Sequence, residues 1–255
     1  MSLGDHFREL RARVMRITLV VVIGSVVAFF FYDQLFELIF EPYNQAREML
    51  GEGTTTKAVI SGVGGPLMLQ LKLCSIAGIV ATSPWWLAEI WGFIVPGMHS
   101  NERKWTRLFA AIAGPLFLAG VAVGYYVLPK GIEVLLGFTP SYIESLVDFG
   151  EYFSFVTRML IVFGIAFEIP LFVVLLNLAG VVSGKALGRH RPWIVIGTFI
   201  FAAVATPSTD PFSMLMLALP MLVLLMISEV IARLVDRRRK RVAGEELDDD
   251  VASPL

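Results

Sequence analysis

The chain has 255 residues, of which 56% are hydrophobic and 17% charged, against roughly 45–50% apolar and roughly 25% charged in ordinary soluble domains. That composition excludes a chain disordered throughout and argues against a water-soluble globule. The 21 basic and 22 acidic residues leave a net charge of -1 and there is one cysteine, Cys74, so neither a nucleic-acid footprint nor an intramolecular disulfide is expected.

A hydrocarbon core about 30 Å thick takes about 20 residues of helix to cross, and six stretches offer that kind of segment: about 14–36, 67–93, 108–128, 153–182, 193–205 and 212–234. The expected fold is all-α: a polytopic membrane domain of six transmembrane helices over 1–235, then a charged, disordered tail over 236–255. Arg8, Arg11, Arg13 and Arg16 before the first stretch resemble the start of a secretory signal. Phe29-Phe30-Phe31-Tyr32-Asp33 has no small-residue cleavage pattern, so this helix is read as retained. The acidic loop after it, rich in Pro and Gly, is expected to form short interfacial helices, as is the loop before the fourth span.

In the second span Lys72 and Glu89 are 17 residues apart, about 25 Å along a helix, so they mark its two ends and do not pair with each other. The third span carries Pro115 and three glycines, Gly114, Gly120 and Gly124, as points of close helix approach. In the fourth, Arg158 lies near the external interface and Glu168, about 15 Å further along, near mid-span. An intramembrane carboxylate costs at least about 2.5 kcal/mol on insertion scales and marks a functional position by default. A neutral Glu168 bonded inside the bundle is the alternative. Pro170 removes a backbone donor beside it and predicts a kink. The fifth span, at about 21 Å, is short for a crossing. It is joined to the sixth by the tight turn Thr206-Pro207-Ser208-Thr209-Asp210-Pro211. Pro220 interrupts the sixth span, and the tail switches from a basic run at 237–241 to an acidic one at 245–250.

The basic residues alternate along the chain. Sixteen of the 21 lie in the amino-terminal arm, the second and fourth loops and the tail, and three, Arg47, Lys57 and Lys130, on the opposite side. This positive-inside bias puts both termini in the cytoplasm. No metal-ligand spacing, nucleophile elbow or phosphate loop occurs, and His6, His99 and His190 are scattered. No catalysis, cofactor or metal is expected.

Two glutamates stand in the basic segments: Glu9 in His6-Phe7-Arg8-Glu9-Leu10-Arg11-Ala12-Arg13, and Glu102 after Phe93-Ile94-Val95-Pro96-Gly97 and before Arg103. By charge alone each reads as a solvated carboxylate with a local pair to Arg13 or Arg103, worth about 0–1 kcal/mol. These segments resemble the signature motifs of the TatC family, the receptor subunits of the twin-arginine protein translocase. The resemblance continues through Glu41-Pro42, Phe163-Gly164-Ile165-Ala166-Phe167-Glu168-Ile169-Pro170, Arg191-Pro192, Thr206-Pro207 and Asp210-Pro211-Phe212-Ser213, and covers roughly residues 3–235. Three departures stand out: Phe7 replaces a usual Leu, Ser208-Thr209 replaces a single Pro before Asp210, and the tail lies outside the common core.

The resemblance implies a multi-pass protein of the bacterial cytoplasmic membrane. It implies a complex with TatA- and TatB-type subunits and further copies of the chain, exporting folded proteins on the proton-motive force. It matches Glu9 and Glu102 to the glutamates that bind twin-arginine signal peptides, supported by His6, Arg11, Arg13, Pro96 and Arg103. Glu168 is expected to dock a partner's membrane helix, and Pro42, Pro170, Pro207 and Asp210 to shape loops and kinks. The rival reading is a secondary transporter in which Glu168 carries a coupling proton; the short fifth span and the lack of an inverted repeat weigh against it.

Overall fold

The computed structural model describes residues 3–50, 56–98, 103–140, 145–206 and 211–249. In chain order these form α1 (Leu3–Phe29), α2 (Tyr32–Leu50), β1 (Thr56–Val59), α3 (Gly65–Ala81), α4 (Ser83–Met98), α5 (Arg103–Gly137), β2 (Ser145–Asp148), α6 (Phe149–Leu178), α7 (Gly184–Arg189), α8 (Arg191–Ala205) and α9 (Pro211–Asp249). Four helices, α1, α5, α6 and α9, are long and apolar enough to cross a membrane. The bent pair α3–α4 and the 15-residue α8, about 22 Å long, complete six candidate crossings. Many large apolar side chains point outward, among them Leu19, Val22, Ile200, Val204 and Val223, as lipid-facing helices require and a water-soluble surface would not tolerate.

The helix boundaries depart from the apolar stretches where backbone chemistry intervenes. The first span ends at Phe29, where Phe30 and Phe31 donate to Val27 and Ala28 in tight three-residue turns at 3.1 and 3.0 Å. The chain then turns into a separate helix, α2, that contains Pro42. Proline supplies no amide to the carbonyl four residues back, and Tyr125 Oη on α5 donates to that carbonyl, Leu38 O, at 2.9 Å. Tyr152 Oη on α6 likewise donates to Ile39 O at 2.7 Å. Two tyrosines therefore satisfy the strained stretch of α2 and fasten it across the ends of α5 and α6.

The second span is broken as well: α3 and α4 meet at 57°. Pro84 supplies no amide to the carbonyl four residues back, and side-chain donors gather on the last turn of α3. Thr82 Oγ1 donates to Gly78 O at 2.7 Å and Trp86 Nε1 to Ile79 O at 2.8 Å. The fourth span stops at Leu178 rather than 182. Gly180 adopts φ +78°, Gly180 N bonds Asn177 O and Val181 N bonds Leu176 O, both at 2.9 Å, the pairing of a left-handed glycine cap. Pro170 lies inside a continuous α6.

Two findings go beyond the expected all-α outline, a short ladder and a longer last helix. Thr56–Val59 and Ser145–Asp148 pair as a parallel two-stranded ladder, Thr56 opposite Ser145 and Val59 opposite Asp148. The ladder is sealed by Ser61 Oγ donating to Asp148, which also caps α6 by accepting from Gly150 N at 2.8 Å and Glu151 N at 3.1 Å. In addition, α9 stays helical to Asp249, through the stretch whose composition points to disorder. Arg, Lys, Glu and Leu are good helix formers, and extending an existing helix avoids the cost of nucleation.

The bundle centres on α5 and α6. A Cβ on Gly120 would lie 2.5 Å from Phe163 O, and one on Gly164 would lie 2.5 Å from the Phe117 ring, so these glycines let the two helices touch. The larger core joins Tyr43, Leu128, Phe153, Val156, Phe163 and Leu217. A smaller one, built from Leu87, Trp91, Phe109, Phe117 and Leu171, ties α4 to α5 and α6.

Candidate functional site

Glu9 and Arg13 are four residues apart on α1 and so share one helix face. Arg13 donates to Glu9 Oε1 through Nε at 3.0 Å and Nη2 at 2.7 Å. Its Nη1 reaches across to α4, where it donates to Glu89 Oε2 and to the Glu89 backbone carbonyl, each at 3.0 Å. Arg16 Nη1 holds the other oxygen, Glu89 Oε1, at 3.0 Å. Exposure is graded across this cluster: the Glu89 side chain is 11% exposed, Arg13 19%, Glu9 36% and Arg16 54%. A Cβ at Gly92 would lie 2.8 Å from Arg13 Nη1, so this glycine lets the guanidinium approach α4. The local pair between Glu9 and Arg13 is as the i,i+4 spacing predicts. Glu89 is the member that sequence reasoning missed, because it was weighed only against Lys72 on its own span, while its partners are on α1.

Arg11 is exposed on α1. Glu102, Pro207 and Asp210 lie outside the described residues, as do the side chains of His6, Pro96 and Arg103.

Deeper in the bundle, Glu168 on α6 meets α4. Trp91 Nε1 donates to Glu168 Oε2 at 3.1 Å, and Trp91 is packed beside Phe109 and Phe172 at ring-centre distances of 5.6 and 6.4 Å. Glu168 Oε1 is buried and has no hydrogen-bond partner among the described residues, which makes it an unsatisfied polar atom. Two residues further along α6, the Pro170 carbonyl lies 3.1 Å from Ser228 Oγ on α9, which is also 2.9 Å from Leu224 O. The hydroxyl thereby couples α9 to the proline-containing turn of α6.

A third polar cluster joins the end of α6, α7, α8 and α9. Arg191 grips Glu229 with two bonds, Nε to Oε2 at 2.7 Å and Nη2 to Oε1 at 2.8 Å, and Arg233 Nη2 adds a third contact at 2.6 Å. Asp236 accepts from Asn177 Nδ2 at 2.9 Å and from Gly184 N at 2.7 Å. Arg191-Pro192 is a motif of the sequence, but its carboxylate partner is 38 residues away. The spacing of Glu229 and Arg233 was the one local sign. At the opposite end, bonds from the Ser61 hydroxyl and from the Glu151 and Gly150 amides hold the Asp148 carboxyl below the usual carboxylate range. Among the described residues no group of three or more His, Cys, Asp or Glu side chains is placed to hold a metal ion.

These features meet known proteins at one place. Residues 5–220 match the family described as Sec-independent protein translocase protein (TatC). The TatC of Corynebacterium kroppenstedtii is 39% identical over 278 residues, spanning 100% of this chain and 67% of that protein. That of Frankia casuarinae is 39% identical over 265 residues, spanning 100% and 73%. Two crystal structures of the twin-arginine translocase receptor TatC share the fold. One, in DDM, gives a TM-score of 0.71 at 30% identity over 89% of this chain and 99% of that one. The other gives 0.73 at 29% identity over 90% and 98%. The six candidate crossings, the motifs around Glu9 and Glu168 and these matches converge: the chain is a multi-pass membrane protein of the TatC family, a component of protein transport and not an enzyme.

Proposed function

We propose that this chain is the receptor of a twin-arginine translocase and that Glu9, together with Glu102, receives the two signal arginines at the cytoplasmic face. The observation that carries the reading is the Glu9 carboxylate. It is presented from α1 by Arg13, partly exposed, at the end of the bundle where the basic residues gather. A guanidinium makes two parallel charge-assisted bonds to a carboxylate, whereas an ammonium is a compact point charge without that fork, so a preference for arginine over lysine follows from geometry. Arg11 and Arg13 line the same helix, and His6, Pro96 and Arg103 belong to the flanking motifs.

In this reading both termini are cytoplasmic, as the charge asymmetry requires. Glu168, with one oxygen unsatisfied beside the α6 proline, is the docking point for a polar group on the membrane helix of a TatA- or TatB-type subunit. Copies of the chain and these partners complete a path for folded cargo, driven by the proton-motive force. The test is direct binding. Detergent-purified chain should bind a synthetic signal peptide with paired arginines and discriminate against its paired-lysine twin. Equal affinity for both peptides would count against arginine recognition.

A further inference from the structure

An i,i+4 Glu–Arg pair on an isolated helix is free to close on itself, with the guanidinium fork spread over both carboxylate oxygens. Arg13 does not close on Glu9 in that way. Both of its bonds to Glu9 end on one oxygen, Oε1, while Nη1 is drawn to Glu89 Oε2 and to the Glu89 carbonyl on α4. Glu9 Oε2 accepts no hydrogen bond from any described residue. Glu89 is the least exposed member of the cluster and is steadied at Oε1 by Arg16. The approach of Arg13 to α4 passes over Gly92, where there is no side chain to obstruct it.

We infer that Glu89 is a positioning residue for guanidinium recognition: by holding Arg13 in a bridging pose, it leaves one oxygen of Glu9 open to an incoming arginine side chain. The inference deepens the receptor reading and rests on it. Without the Glu89 charge, Arg13 has Glu9 as its one carboxylate partner among the described residues. Its fork then competes with the peptide for the same two oxygens. The four side chains also sum to zero charge, so removing one acid makes the cluster cationic and repels a basic peptide. A second substitution separates the two effects. Glu89→Gln with Arg16→Gln restores neutrality but still leaves Arg13 free to fold onto Glu9.

The experiment uses the full chain in detergent and measures the Kd of a synthetic paired-arginine signal peptide and of its paired-lysine twin. Glu89→Gln, nearly isosteric, should weaken arginine-peptide binding about tenfold, the scale of one charge-assisted bond. It should also bring the arginine-to-lysine affinity ratio towards one, a change that loss of fold alone would not produce. The double variant Glu89→Gln/Arg16→Gln should stay weak; its return to wild-type affinity would mean that net charge, not the pose of Arg13, sets binding, and would overturn the inference. Glu89→Asp keeps the charge but shortens the reach and should also bind more weakly; it substitutes for Glu89→Gln should that variant not accumulate. Glu9→Gln separates the two layers of the argument. Loss of binding in Glu9→Gln with wild-type binding in both Glu89 variants overturns the role of Glu89 alone, whereas unchanged binding in Glu9→Gln overturns the receptor reading and this inference with it.

Discussion

Trp91 on α4 donates its indole N–H to Glu168 on α6 at 3.1 Å, and it does so to one carboxylate oxygen while the other has no bond within the described chain. The indole tethers the acid without satisfying it. Such a half-satisfied buried group costs free energy until a donor or acceptor arrives from outside.

Glu168→Gln keeps a donor and an acceptor at this depth and should preserve most crosslinking to the membrane helices of TatA- and TatB-type subunits. Glu168→Ala removes both. Because polar contacts inside membranes average only about 0.6 kcal/mol in measured cycles, the alanine variant should shift crosslinks and lower export of a folded reporter without unfolding the bundle. Wild-type crosslinks and export in Glu168→Ala would sink the docking role. If Glu168→Gln fails as badly as Glu168→Ala, a proton or charge is needed instead.

The charge asymmetry predicts the topology. Single cysteines introduced at Asn101, Gly184 and Gly244 should be shielded from an impermeant thiol reagent applied outside intact cells, and those at Gly51, Tyr142 and Ser208 should react, in a background where Cys74 is replaced. External labelling at position 101 would reverse the orientation and remove Glu9 from the cytoplasm.

The Arg191–Glu229 pair offers a stability test. Glu229 has a side chain only 6% exposed, while Arg191 is 56% exposed. Arg191→Ala strands Glu229 Oε2 without its partner and should destabilise the bundle, seen as a lower Tm in detergent. Adding Glu229→Gln should recover part of that loss, since the buried charge is gone. Strictly additive losses across the four proteins would show that the pair is not coupled.

Asp148 sets an acid limit on the cap of α6. Its carboxyl lies below the usual range because the ionised form accepts from Ser61, Glu151 and Gly150. A carboxylate with a lowered folded-state pKa adds stability that is present above its unfolded pKa and lost as pH falls through the folded one. Wild type should therefore be more stable than Asp148→Asn near about pH 7, and the gap between the two Tm curves should narrow as pH falls below the ordinary carboxylate range of about 4. A gap that is constant with pH would falsify this assignment.

Much of this protein was legible before any fold was known. Hydrophobic length is a local property, so the six apolar stretches could be counted, and the uneven spread of Lys and Arg between them set the expected orientation. Gly120 and Gly124 were legible as sites of close approach because no other residue permits backbones so near. Chain length and propensity, however, left the breaks at Phe30 and Thr82 unseen. The first span is continuous in hydropathy, and it turns because α2 finds hydroxyl donors in Tyr125 and Tyr152 for the carbonyls beside Pro42. The second is continuous too, and its bend before Pro84 is braced by Thr82 and Trp86, whose side chains donate to carbonyls in the last turn of α3.

The pairings belong to the tertiary structure alone. Spacing along one helix can place Glu9 beside Arg13, but it cannot rotate α4 so that Glu89 faces α1, nor bring Trp91 to Glu168 or Arg191 to Glu229. Hydropathy records how much of a helix is buried, whereas a hydrogen bond depends on which way each helix face is turned and how closely its neighbour approaches. The sequence by itself determined the apolar stretches, the asymmetry of basic charge between them and the family motifs. Packing between helices distant in the chain decided which carboxylate is neutralised and which is left half open.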